Sequence, residues 1–148
     1  APSDPVIKGT AYVERAVSAL QAEGYPLELR LLLQRPHDEI RKAFGEADNV
    51  VDQLLLGWYG NFAIEAMACG RPVAGFIRDD LPALAGYAPP IRSATPESIQ
   101  RVLAELVENA SLRRSLAEAG REYVGRVHAP ERIARRLVDC YRQPRSAH

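Results

Sequence analysis

Cysteine is nearly absent from this chain, and the two present, Cys69 and Cys140, stand far apart in no metal-ligand spacing. That count excludes a disulfide framework and a cysteine-based zinc site. Free thiols fit a reducing compartment, so the cytoplasm is the expected location. The three histidines, His37, His128 and His148, are too scattered to form a metal centre. No apolar run is long enough to span a bilayer, and no signal-like segment opens the sequence. A G-x-G-x-x-G fingerprint and a phosphate-binding P-loop are both missing, which argues against dehydrogenases and the common NTPases. A dominant charge is missing too, since nineteen basic residues balance nineteen acidic ones. Nothing therefore calls for wholesale nucleic-acid binding.

What remains is an ordinary soluble composition in 148 residues. One domain of that length buries roughly two-thirds of its unfolded surface, so it requires no metal or disulfide to hold it. The charge is unevenly spread. From Arg101 onward there are ten basic and six acidic residues, against nine and thirteen before it. This basic last third reads either as solvated helix faces or as a surface for an anionic membrane or acidic neighbour. Lysine is also scarce, with only Lys8 and Lys42 beside seventeen arginines.

Along the chain, helix and strand patterns alternate. Thr10 to Glu23 carries a helical stripe of Val13, Val17 and Leu20, closed by Gly24. Leu27 to Leu33 is a short apolar run between prolines and predicts a strand. Pro36 to Ala47 predicts a helix with Ile40 and Phe44 inward. Val50 to Leu56, nearly all apolar, predicts a strand buried on both faces. A helix from Asn61 to Cys69 and a strand from Pro72 to Ile77 follow. Residues 78 to 95 read as loop, with one short strand near Ile91. Three helices finish the chain. The first opens on Thr95 as N-cap and Pro96 at the first helical position, with Ile99, Val102, Leu103, Leu106 and Val107 inward. Leu112, Leu116 and Tyr123 mark the second, and Ile133, Leu137 and Tyr141 the third. Alternation of this kind implies an α/β domain with a mostly parallel sheet and helices on both faces. A doubly wound domain normally opens with a strand, yet Ala1-Pro2-Ser3-Asp4-Pro5 reads as loop, so the first strand is expected upstream.

The segment that carries chemistry is Gly57 to Val73, GWYGNFAIEAMACGRPV. A buried strand, a glycine-containing turn and a helix start leave backbone N–H groups and the positive helix end facing the crevice at the strand ends. Phosphates bind such a place without a side chain, and ligands of open α/β sheets lie in that crevice. The helix is apolar nearly all round except for Glu65. A carboxylate there pairs with Arg71, faces water, or meets a ligand. Trp58 either stacks on a base or sugar or packs in the turn, and Arg78 stands at the crevice end of the next strand.

The string FAIEAMACGRPV closely resembles the C-terminal, donor-binding domain of retaining glycosyltransferases of the group 1 family (family four), which have the two-domain GT-B fold. Their hallmark is two glutamates eight positions apart, the second followed by Ala-Met-Ala-x-Gly-x-Pro-Val. The resemblance implies that Glu65, matching the second, holds the ribose hydroxyls of the donor. The first glutamate, which touches the donor sugar, would fall at Gly57, a departure from the pattern. Gly60 matches the glycine ahead of the helix, and Asn61 follows it, so Gly57, Tyr59, Gly60 and Asn61 form the turn implied to face the donor. Ile7-Lys8-Gly9-Thr10 resembles the family's Lys-Gly helix opening, which implies that Lys8 reaches the donor phosphates.

The resemblance thus implies a Rossmann-like half of a GT-B fold that takes part in transfer of a sugar from a UDP or GDP sugar, with retention and without a metal or other cofactor. Lys8 would serve the departing diphosphate. The acceptor-binding N-terminal domain is expected outside these residues, so the isolated domain would bind without transferring. A non-catalytic nucleotide-binding regulatory module is the competing expectation, favoured by Gly57.

Overall fold

In a computed structural model, which describes residues 4–142, the chain forms an α/β domain around a small open sheet. Residues Ala1 to Ser3 of the expected opening loop, and His148, lie outside the described residues. The rest of that loop is partly helical. Asp4 caps α1 (Pro5–Lys8) by accepting the Val6 N–H at 2.8 Å, with Pro5 at the first position, where its missing N–H costs nothing. Gly9, at φ +76°, turns the chain directly into α2 (Thr10–Ala22).

The helices α3 (His37–Glu46) and α4 (Asn61–Ala68) lie close to their expected positions, as do β2 (Val73–Gly75) and β3 (Ile91–Ser93). The strand β1 (Val50–Val51) is much shorter than the apolar run suggested: the run leaves the sheet at Asp52, and Leu55 and Leu56 are exposed. Leu27 to Leu33 does not form a strand at all. Its apolar composition is strand-like, but residues 28–33 make no backbone–backbone hydrogen bond among the described residues. Strand identity needs a neighbour as well as a pattern.

The expected loop after β2 contains a short helix, α5 (Leu81–Ala85). The next helix, α6 (Ile99–Glu108), starts later than its Thr95-Pro96 signal, because the Ser98 hydroxyl accepts the Thr95 N–H at 2.8 Å and closes a turn ahead of it. Then come α7 (Ala110–Val127) and α8 (Pro130–Arg142). The stripe of α8 is a correction: Ile133, Leu137 and Tyr141 are exposed among the described residues rather than packed inward.

All three strands run parallel in the order β1-β2-β3, with Val50 beside Val73 and Val73 beside Ile91. Successive residues point to opposite faces. Val73 and its register partners Val50 and Ile91 enter a core with Phe44, Met67 and Tyr123, while Ala74 enters one built by α2 and α6. Helices therefore cover both faces. Gly120 of α7 lets that helix approach α4 closely, since a Cβ there would stand 3.1 Å from the Met67 side chain. This contact fixes α4, the helix on which the candidate site depends.

Candidate functional site at the end of the first strand

The strand β1 ends at a carboxylate. Asp52 donates its N–H to Ala74 O at 2.9 Å, which fixes its backbone beside β2 and leaves its side chain 2% exposed. A buried carboxylate is costly unless its oxygens are satisfied. Here both are. Asp52 Oδ1 takes a charge-assisted hydrogen bond from Lys8 Nζ at 3.0 Å, and Oδ2 accepts the Gly60 N–H at 3.0 Å. The Lys8 carbonyl in turn accepts the Leu54 N–H at 2.9 Å, so α1 is tied to the chain just beyond β1.

Lys8 keeps 23% side-chain exposure and lies 5.1 Å from the centroid of Phe62, on the first turn of α4. With one ammonium hydrogen given to Asp52, its others are available. The Gly60 carbonyl accepts the N–H groups of Ala63 and Ile64, which begins α4. The N–H groups of Asn61 and Phe62 make no hydrogen bond among the described residues. An ammonium and the positive end of a helix thus share one corner, the arrangement that receives an anion.

The turn between Gln53 and Gly60 is held from inside. The buried Gln53 donates to the Trp58 carbonyl, and its own carbonyl accepts the Phe76 N–H at 2.8 Å. Gly57 has φ +74°, and a Cβ built on it would stand 2.6 Å from Arg78 Cδ. A glutamate at this position would be strained at that φ and would have to displace the Arg78 side chain. Arg78 itself is engaged by the Asp80 carboxylate at 2.7 Å.

Tyr59 belongs to a different group. Its hydroxyl meets the Tyr123 hydroxyl at 2.7 Å and His128 Nε2 at 3.0 Å, and Trp58 packs on its ring. Burial, then the Tyr123 hydrogen bond, raises the Tyr59 phenol well above its ordinary value. Burial likewise pushes the His128 imidazole down. Glu65 lies on the second turn of α4 with 36% of its side chain exposed, and its Oε1 is 3.3 Å from His37 Nε2 at the start of α3. Arg71 does not pair with it; Arg71 donates to the Gly45 carbonyl at 2.7 Å.

The structure therefore joins Lys8 to Gly60 and the start of α4, through Asp52, while Glu65 stands a turn away and Tyr59 turns toward α7. Sequence reasoning missed Asp52. Its signal was available, an acid and an amide inside the apolar run VVDQLLL, where neither is expected without partners. The cluster of Tyr59, Tyr123 and His128 joins positions too distant in sequence to be associated by spacing. Among the described residues, no three His, Cys, Asp or Glu side chains are grouped to hold a metal ion, and no helix is long and apolar enough to cross a membrane. The chain matches no model of a known protein family, no curated protein and no solved structure.

Proposed function

We propose that this chain is the donor-binding, Rossmann-like half of a GT-B glycosyltransferase, which takes a UDP or GDP sugar without a metal. One observation carries the reading. Lys8 and the Gly60–Asn61 helix start, the two separate segments that resemble the family, are joined through one buried carboxylate. Nothing in their sequence separation requires that meeting. In this reading Asp52 orients the Lys8 ammonium, and the free N–H groups of Asn61 and Phe62 complete a cradle for the diphosphate. Glu65, half-open on the same helix, accepts the ribose hydroxyls, with His37 as its partner when no nucleotide is bound. Transfer itself requires the acceptor-binding domain, so these residues alone bind donor without turnover.

Calorimetry with UDP and GDP under excess EDTA tests the reading. A charge-assisted hydrogen bond is worth about 1.5–3 kcal/mol, so Glu65→Gln should weaken the ribonucleotide roughly ten- to a hundredfold. With a dideoxyribose analogue the loss should vanish, because the deleted contact is already gone. Equal losses for both ligands sink the ribose assignment. A second reading, a nucleotide-binding module without catalysis, is favoured by Gly57, where the left-handed backbone strains any side chain and the Arg78 side chain occupies the place of a Cβ.

A further inference from the structure

An ionised carboxylate such as that of Glu65 can only accept hydrogen bonds. A ribose diol has two hydroxyl hydrogens to give it, but also oxygen lone pairs that a carboxylate cannot serve. A ribose held at Glu65 therefore needs a donor beside it, and another helix supplies one. His37 Nε2 stands 3.3 Å from Glu65 Oε1, with the two side chains 68% and 36% exposed. That spacing is longer than the usual N–H to oxygen hydrogen bond, so neither group is fully engaged by the other. Their meeting is built into the packing. The buried Phe44 of α3 sets its ring 5.0 Å from that of Phe62 on α4. Arg71, just past α4, donates to the Gly45 carbonyl of α3 at 2.7 Å. These two contacts hold α3 against α4, and His37 is the first residue of α3. Arg35 is drawn instead to Glu39, at 3.7 Å, which leaves His37 as the donor that reaches Glu65.

We propose, resting on the donor-binding reading of this site, that His37 is a second ribose-binding residue, which donates from Nε2 to the diol while Glu65 accepts from it. The two oxygens of a cis-diol lie about one hydrogen-bond length apart, close to the spacing of Nε2 and Oε1. One side chain can thus meet each hydroxyl without a change in the backbone. The distance to the anion corner also fits. Glu65 follows Asn61 by four residues of α4, about one helical turn or roughly 5.4 Å of rise. A ribose at Glu65 and His37 therefore leaves its diphosphate at the start of α4, near Lys8. The imidazolium donates from Nε2, and so does the neutral ring in the tautomer that carries its hydrogen there. A donor and an acceptor side by side then select for the intact diol, because a ligand without it leaves both unpaired.

The test is calorimetry of UDP, GDP and their dideoxyribose analogues on the parent, His37→Ala and His37→Gln. His37→Ala should weaken the ribonucleotide about three- to tenfold and leave the dideoxy analogue unchanged. Glutamine places an N–H₂ donor near the position of Nε2, so His37→Gln should recover most of that loss. Binding of the dideoxy analogue shows that each variant is folded. Tighter ribonucleotide binding by His37→Ala overturns the proposal, since His37 would then only occupy Glu65. Equal losses for the two ligands overturn it as well, because they mark a general attraction of the imidazole for the diphosphate. So does an unchanged affinity for both. A parent that binds neither ribonucleotide overturns the donor-binding reading and this role with it. A parent that binds one of them, with a ribose-dependent loss in Glu65→Gln but none in His37→Ala, overturns the role of His37 alone.

Discussion

The helices α6 and α8 carry the same kind of pattern and meet opposite fates. In α6, Ile99, Val102, Leu103 and Leu106 recur at helical spacing and are 0–3% exposed, closed against α2 and Ala74. In α8, Ile133, Leu137, Val138 and Tyr141 recur at the same spacing, opposite Arg132, Arg135, Arg136 and Arg142, yet they are 41–88% exposed. Periodicity says which face of a helix would be buried. It does not say by what. A related distinction, between an enclosed group and an open one of the same type, runs through the carboxylates and the histidines.

The largest expected effect tests the helices themselves. Leu106→Ala should lower unfolding free energy by about 2–5 kcal/mol, the transfer cost plus a cavity that its packed surroundings cannot close. Leu137→Ala removes the same atoms from an exposed stripe and should change stability by no more than about 0.5 kcal/mol. Urea unfolding of the two variants measures the difference. Similar losses would mean that α8 is packed in solution, and the contrast between the helices would fall.

This contrast also explains how much was legible beforehand. The helices α2, α4, α6 and α7 could be read because their stripes close against elements within the chain. Leu27 to Leu33 and α8 misled for one shared reason: each has the composition of a buried element, and the described residues provide no ladder for the first and no cover for the second. The short helix α1 was overlooked although Asp4-Pro5 is a helix-start signal, because the preceding Ala-Pro-Ser made the stretch look like loop. At the site, Lys8, Gly60 and Asn61 were legible through motif and resemblance. The Asp52 that joins them was hidden by its apolar neighbours, since tertiary partners decide whether such an acid is tolerated.

The next comparison is between two acids. Asp52 is enclosed with two partners, while Glu65 is open with a histidine beside it. Asp52→Asn leaves the shape intact but turns an amide N–H₂ toward either the Lys8 ammonium or the Gly60 N–H, so one donor loses its acceptor. The expected cost is about 1–3 kcal/mol of stability; on the proposed donor-binding reading, nucleotide affinity should fall as well, because Lys8 is no longer held at the start of α4. Glu65→Gln, by contrast, should stay within about 0.5 kcal/mol of the parent in unfolding free energy. Thermal melts of both variants without ligand decide this. A Glu65→Gln variant that melts as early as Asp52→Asn would make Glu65 a structural acid and weaken its assignment to ribose.

The smallest effect separates the histidines. His37 is open to water beside Glu65, whereas His128 is drawn among Tyr59 and Tyr123. Burial lowers the His128 pKa below its ordinary 6.5, because the charged imidazolium loses solvation there. In the unfolded chain the same ring takes up its proton at the ordinary value. Between those two pKa values the unfolded state holds more protons than the folded one, so stability rises with pH across the window. His128 thus contributes stability that is fully present above about pH 6.5 and is lost as pH falls toward its folded value. Protonation need not break the contact with Tyr59, since the phenol oxygen can accept from the ring while its hydrogen turns to Tyr123. The loss comes from desolvation alone, which keeps it small. His128→Gln should retain a polar partner for Tyr59 and flatten the dependence. Urea unfolding at pH 7.5 and at pH 5.5 provides the measurement, with the variant subtracting the background from the carboxylates. The parent should lose more stability than His128→Gln over that interval. Parallel losses would show that His128 is solvated as an open histidine is, and would remove it from the tyrosine cluster.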